Sequence, residues 1–318
     1  MEYEKVLLHI GNADERLNTR YLYVLSGMTR AQLERFRQVW PTIEDDRRRL
    51  VIRNLAELAE LSFEVNFDPI FLLAMGDEDS DVRAAAIDGL WENEDQALIG
   101  PLVHLLRADE AVHVRSAAAI ALGRFVLLGE LGEIDRAPAM LAEEALLEVI
   151  HLAEGDLEVR RRAVEAIAYS GEAGVREIIE AAYYHEDEKM QASALFAMGR
   201  SADPYWRKWL LVELDNPNPE LRFEAARTCG ELEVAPAAPY LARIIADDPD
   251  HEVREAAIWA LSHIGGREAR EILEACYQGD DEVLSQAAAD ALDEMDLLSE
   301  SSDILLYEDL DEDEDFGE

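Results

Sequence analysis

One phrase recurs seven times along the chain, and its spacing limits the possible folds more than any other feature. It consists of an acidic turn, an apolar residue, usually an arginine, and then an alanine-rich stretch. In chain order it reads DSDVRAAAIDGL, AVHVRSAAAIAL, DLEVRRRAVEAI, DEKMQASALFAM, NPELRFEAARTC, DHEVREAAIWAL and DEVLSQAAADAL. Taking the residue after the apolar one as an anchor gives Arg83, Arg115, Arg160, Gln191, Arg222, Arg254 and Ser285. Successive anchors stand 32, 45, 31, 31, 32 and 31 residues apart. A fixed period in this range marks a repeat architecture in which each unit is one supersecondary element.

The columns of the alignment say what that element is. Three residues after each anchor stands alanine: Ala86, Ala118, Ala163, Ala194, Ala225, Ala257 and Ala288. Six after, every residue is small, from Gly89 to Ala291, and seven after it is larger and mostly apolar, from Leu90 to Leu292. The residue before the anchor is always apolar. These offsets mark one side of a 3.6-residue helix. Small residues at fixed places allow neighbouring helices to approach closely, and the larger ones fill the gaps between turns.

Each repeat therefore reads as a helix pair whose second helix carries the phrase. The first helix carries apolar runs such as Phe71–Leu72–Leu73, Leu210–Leu211–Val212 and Ile244–Ile245. Pro69 and Pro101 suit its first turn, where a missing N–H costs nothing, and aspartates of the acidic turns can cap the second helix. A single pair cannot bury its own apolar face, so the pairs must stack. The expected fold is all-α, a right-handed α-solenoid of about seven helix pairs over residues 67–297. The surplus in the 45-residue interval is expected as an inserted loop at about 129–138.

The phrases resemble the HEAT-repeat family, most closely its short phycobilisome-lyase-type repeats. The likeness is carried by Asp-x-x-Val-Arg…Ala…Ala-Leu-Gly and is clearest at Val114–Gly123 and Val253–Leu261. It implies that the anchor arginine bonds an acid of an adjacent turn and that the second helices line a concave side. Gln191 and Ser285 depart from the pattern, implying a weaker ladder at those two joints.

Residues 1–66 lack the phrase but look helical, and are read as a divergent N-terminal capping segment. Thr29 with Gln32 can make a capping box, and Thr42 with Asp45 resembles one. Residues 298–318 contain 10 acids and no Lys or Arg, with Ile304, Leu305, Leu306, Tyr307 and Phe316 between them. They are expected as a disordered tail that aids solubility, or alternatively as a linear motif.

The formal charge of −41 repels phosphate backbones and anionic membranes. The partners expected are therefore proteins with basic segments, not nucleic acid and not a membrane. An acidic mimic of nucleic acid remains an alternative. Cys229 and Cys276 have no metal-ligand or CxxC spacing, and two thiols make no disulfide framework, so a reducing, cytoplasmic setting is expected. The chain start shows no signal-peptide pattern, and no uncharged apolar run has the length of a membrane span.

No metal, cofactor or catalytic site is expected. The seven histidines are scattered, HEDEK at 185–189 lacks the ligand alternation of a calcium loop, and no GxSxG, Walker-type or dinucleotide fingerprint occurs. The informative positions are those where repeats disagree, at one, five and nine residues past the anchor. They lie opposite the packed side and hold no residue type, so packing does not dictate them. Repeats three to six place Arg161, Tyr169, Phe196, Arg200, Phe223, Arg227, Trp259 and His263 along this stripe. Aromatic and arginine residues are enriched in binding hot spots, so the stripe is the expected partner-binding surface of a non-catalytic scaffold. The competing reading is that these side chains cover the neighbouring helix or pair with nearby acids. The family resemblance implies a second function, an enzyme subunit of the phycobilin-lyase type, in which Arg and His of the stripe would hold a tetrapyrrole's propionates.

Overall fold

The structure is a computed structural model that describes residues 2–62, 64–152 and 155–311, with side chains from residue 3 to residue 297. Helices alone make up its regular structure; no strand occurs among the described residues. The chain divides into two compact units, Met1–Ser170 and Gly171–Glu318. The first contains α1 (Glu2–Ile10), α2 (Arg30–Val39), α3 (Asp45–Leu61), α4 (Asp68–Ala74), α5 (Ser80–Gly89), α6 (Ile99–Ala108), α7 (Val112–Glu130), α8 (Arg136–His151) and α9 (Leu157–Ile167). The second contains α10 (Val175–Tyr183), α11 (Glu188–Arg200), α12 (Arg207–Glu213), α13 (Pro219–Glu231), α14 (Ala238–Asp247), α15 (His251–Ile264), α16 (Gly266–Tyr277) and α17 (Glu282–Asp311).

The columns read from sequence are the core. All seven alanines three past the anchor have no solvent exposure, and all seven apolar residues before the anchor are buried. Second helices pack on second helices: α3, α5, α7 and α9 in series in the first unit, and α11, α13, α15 and α17 in the second. The approach is close because small residues meet small residues. A Cβ added to Gly123 would lie 3.0 Å from the Ala166 Cα, and one added to Gly230 would lie 2.8 Å from the Ala260 Cα.

A repeated turn starts the second helices, although at α7 the capping position is taken by Ala111. Four residues before the anchor, Asp79, Asp156, Asp187, Asn218 and Asp250 accept hydrogen bonds from the first free amides of α5, α9, α11, α13 and α15. This satisfies donors that the helix itself leaves open. Six before the anchor, a second polar side chain (Asp77, Asp109, His185, Asn216 or Asp248) accepts the amide two residues on. The anchor then closes the turn, as when the Arg83 Nη1 donates to the Asp77 and Glu78 carbonyls. Its remaining donors reach the next repeat. Arg83 forms a two-pronged pair with Asp109 at 2.7 and 2.8 Å, and Arg222 forms the same pair with Asp248. Arg254 lies 3.5 Å from Asp281 and Arg115 lies 3.9 Å from Asp156. Gln191 bonds only its own turn, at the His185 carbonyl, and the residue matching Asp248 in the following turn is the neutral Asn216. Ser285 likewise turns back to the Tyr277 carbonyl.

Three expectations need correction. The surplus residues do not form a long loop. Residues 131–135 alone separate α7 from α8, and these two helices, at 19 and 16 residues, absorb the rest. Phe125, Val126 and Leu128 continue the buried side of α7, and a Cβ on Gly129 would lie 2.4 Å from the Ala139 Cβ. The added turns are therefore packed core. In consequence α7 has the length and apolar composition of a membrane span. Sequence reading missed this because Arg115 and Arg124 interrupt it, and the helix lies packed against α5, α6, α8 and α9.

The amino-terminal segment is not wholly divergent. α3 packs along α5 as a second helix would, and Arg49 grips Asp79 of the next turn as an anchor does. Asp77 in that turn also accepts from the Trp40 indole and from Arg48. Ahead of it, the buried Arg47 donates to the carbonyls of His9, Ile10 and Glu15, tying down the end of α1. Thr29 and Gln32 do form a capping box, whereas the Thr42 hydroxyl donates to the Val39 carbonyl and does not cap α3.

At the other end, α17 carries helical backbone through Asp311, where disorder was expected from 298. No proline or glycine stands between Glu282 and Asp311, so nothing local stops the helix. Residues 312–318 of that expected tail lie outside the described residues.

Candidate interaction surface on the second helices

The eight residues of the stripe fall into both units. Arg161 and Tyr169 belong to the first. Arg161 is only 8% exposed and pairs with Glu158 at 2.6 Å, one helical turn before it, so it offers no free donor face. The stripe expectation is corrected there, because one residue past the anchor the side chain lies close to the packed side. Tyr169 is half-buried, just past the end of α9.

The other six lie in the second unit, and five of them form one connected series across α11, α13 and α15. The Arg200 guanidinium sits over the Phe196 ring at 4.8 Å, and the Arg227 guanidinium sits over the Trp259 indole at 5.3 Å. Trp259 in turn stacks on the His263 ring with centroids 3.8 Å apart. Glu231 joins the two halves, 3.8 Å from Arg200 and 3.3 Å from Arg227. All six members of this series are half-buried. Phe223, one turn before Arg227 on α13, is half-buried as well, without a ring contact to the series.

Local rules explain why the series forms. Residues four apart on a helix share a face, which places Phe196 below Arg200, Arg227 below Glu231 and Trp259 below His263. The stacking of α11, α13 and α15 then brings the pairs side by side. Cation–π pairs at exposed sites contribute only about 0.5–1 kcal/mol each. Their effect here is mainly to fix rotamers of long side chains. Glu231 stands nine past its anchor, but as one acid among many in this chain its residue type does not set it apart in the sequence.

Next to His263, the Ser262 hydroxyl lies 3.1 Å from the ring Nδ1. It is not a serine–histidine nucleophile pair. Ser262 is 3% exposed, and its hydroxyl donates to the Trp259 carbonyl at 2.8 Å. No grouping of His, Cys, Asp or Glu suited to a metal ion occurs among the described residues.

A second aromatic group was missed altogether. Tyr183, Tyr184, Tyr205, Trp206 and Trp209 meet edge to face where α10 and α12 adjoin. Arg176 lies over Tyr205 at 4.7 Å and pairs with Asp203. Trp206 is buried and Tyr183 donates to the buried Glu213, so much of this group is packing. Its signal was the aromatic runs YY and YWRKW, which lie in first helices and so outside the aligned columns.

A model described as HEAT repeats matches residues 68–144, 175–262 and 207–293. No curated protein sequence matches the chain. Among solved structures, human deoxyhypusine hydroxylase in complex with glycerol is 17% identical, with 93% of this chain and 96% of that chain covered and a TM-score of 0.38. Importin beta is 14% identical, with 93% of this chain and 45% of that chain covered and a TM-score of 0.48. An engineered protein is 17% identical over 92% and 88%, with a TM-score of 0.41.

Proposed function

The chain belongs to the HEAT-repeat family, and from that premise we propose that it is a non-catalytic scaffold whose partner docks on the series Phe196–Arg200–Glu231–Arg227–Trp259–His263. The observation that carries the proposal is that these residues are pre-stacked at positions where the repeat imposes no residue type. Side chains already held in one geometry lose less freedom on binding, and arginine and tryptophan are the residue types that dominate binding hot spots. The charge of −41 favours a partner with basic segments, by steering and by the cost of like-charge contacts. A cytoplasmic setting fits the two free cysteines.

The test compares the wild-type chain with the triple variant Phe196→Ala, Arg227→Ala, Trp259→Ala in affinity capture from the source lysate. Partners retained by the wild type and lost by a variant with unchanged helical content support the proposal. Full retention by the triple variant removes the series from consideration.

A further inference from the structure

A groove of about 750 Å³ opens in the second unit between the first helices α14 and α16, and none of its lining residues belongs to the Phe196–His263 series. Ala242 and Ala246 of α14 and Ala275 of α16 line it with side chains too short to close the gap. Ile245 and Leu284, both buried, and the half-buried Ile272 supply its apolar surface. Its size falls within the roughly 300–1,000 Å³ of ordinary ligand clefts.

The charge lining this apolar surface is mostly negative, with Glu271 paired to the exposed Arg267 at 2.7 Å. Glu268, Glu271, Asp280 and Asp281 line the groove against a single cation, Arg254. That cation is engaged already: its Nε donates to the Ile245 carbonyl at 2.7 Å and its Nη1 lies 3.5 Å from Asp281. Glu268 and Asp280 have no ion-pair partner among the described residues. The chain's own last 21 residues hold 10 acids and no Lys or Arg, so they are repelled from such a rim. A second copy, also at −41, is repelled too.

We infer that the groove between α14 and α16 docks a short segment of another protein, in which one or two apolar side chains are flanked by lysine or arginine. The apolar side chains would fill the trough between Ala242 and Ala275 while the basic flanks meet Glu268, Glu271 and Asp280. This names the partner chemistry of the scaffold read above but uses a different surface, so the two can fail separately.

The probe is a fluorescein-labelled peptide, Lys-Lys-Leu-Ala-Ala-Leu-Lys-Lys, titrated with the full chain in about 0.15 M salt, where long-range attraction is screened. Fluorescence anisotropy reads affinity, and alkylation of Cys276, a lining residue, by N-ethylmaleimide reads location. Cys229 is fully buried. The expected result is saturable binding with slowed Cys276 alkylation. Ala275→Trp, at an exposed position, should weaken it about tenfold or more. Glu268→Lys with Glu271→Lys should weaken it similarly without touching the core, and a glutamate-flanked peptide should not bind. The Phe196/Arg227/Trp259 triple variant should bind the peptide as the wild type does. The inference is overturned by binding without Cys276 protection, by affinity indifferent to both groove variants, or by no binding. Concentration-dependent self-association that Ala275→Trp abolishes would also overturn it, assigning the groove to a second copy.

Discussion

Replacing Asp248 by asparagine tests whether the charged rungs between repeats act as pairs. Arg222 holds Asp248 with two bonds of 2.7 and 2.8 Å, and the two side chains are 11% and 5% exposed. Removing one partner of a fully buried pair costs about 3–5 kcal/mol. Here Arg222 keeps its bonds to the Asn216 and Pro217 carbonyls and some contact with water, so D248N should cost about 2 kcal/mol. R222Q should cost a similar amount, leaving the Asp248 carboxylate with the Asp250 amide alone. Once either charge is gone the other contributes little, so the double variant should cost about 2 kcal/mol, a coupling of roughly 2 kcal/mol. It would copy the neutral Gln191 rung elsewhere in the same unit.

The assay is urea unfolding by circular dichroism at neutral pH, with hydrogen exchange of α13 and α15 amides. Exchange reads local opening even where a repeat array departs from two-state unfolding. A double variant destabilised by the sum of the singles, about 4 kcal/mol, would refute the reasoning. Acid gives an independent check. Burial pushes the Asp248 carboxyl up, but the Arg222 bonds, the Asp250 amide and the Arg222 and Arg254 charges outweigh this and hold it below its ordinary value. A lowered carboxyl stabilises above the unfolded value, near 4, and that contribution is lost as pH falls through the folded one. The difference between wild type and D248N should therefore be constant at neutral pH and shrink below about pH 4.

Gly89→Ala would put a Cβ 2.5 Å from ring carbons of the fully buried Phe71, so a loss of about 1–3 kcal/mol is expected in the urea midpoint; a stabilised variant would refute it. Arg47→Met keeps the aliphatic stem but removes the bonds to the His9 and Ile10 carbonyls at the end of α1 and to the Glu15 carbonyl beyond it, costing about 2–3 kcal/mol. Its signature is faster exchange of α1 amides, and unchanged exchange there would count against the tether. Glu231→Gln removes the acid shared by the partly exposed Arg200 and Arg227, and should change stability by less than about 1 kcal/mol while lowering the salt sensitivity of binding to a basic partner. A larger drop in thermal midpoint would make Glu231 a structural residue.

The packed side was legible because a Cβ-sized residue is demanded wherever two helices nearly touch, and alanine at three past the anchor repeats without exception. The anchor column was legible as well, arginine at five of seven positions, although its bonding to the next turn was implied by the family resemblance and, among the described residues, is absent at Gln191 and Ser285. The segment of α3 was read as helical but not as a second helix of the series, because Ile52 and Leu55 stand where the other repeats have small residues. The extension of α7 and α8 was read as a loop because GELGEID contains two glycines, although Gly129 is present for close packing on Ala139. At the stripe, helical spacing sets Phe196 beside Arg200, and repeat stacking sets Arg227 beside Trp259. Residue type could not show that Arg161 turns inward to Glu158, since burial one residue past the anchor depends on the side chains around it. Nor could it show the groove between α14 and α16, which comes from short side chains on helices that the alignment left loose.

The tether at Arg47 has a consequence for the order of events during synthesis. A nine-residue helix such as α1 is marginal in water, and the side chain that holds its end stands 37 residues after Ile10. At roughly 5–20 residues per second, a ribosome adds that arginine about 2–7 s after it has passed the helix. The end of α1 is thus fixed only after α3 has begun to emerge, and for those seconds the nascent chain presents Val6, Leu7 and Ile10, all buried in the finished fold, to whatever waits at the tunnel mouth.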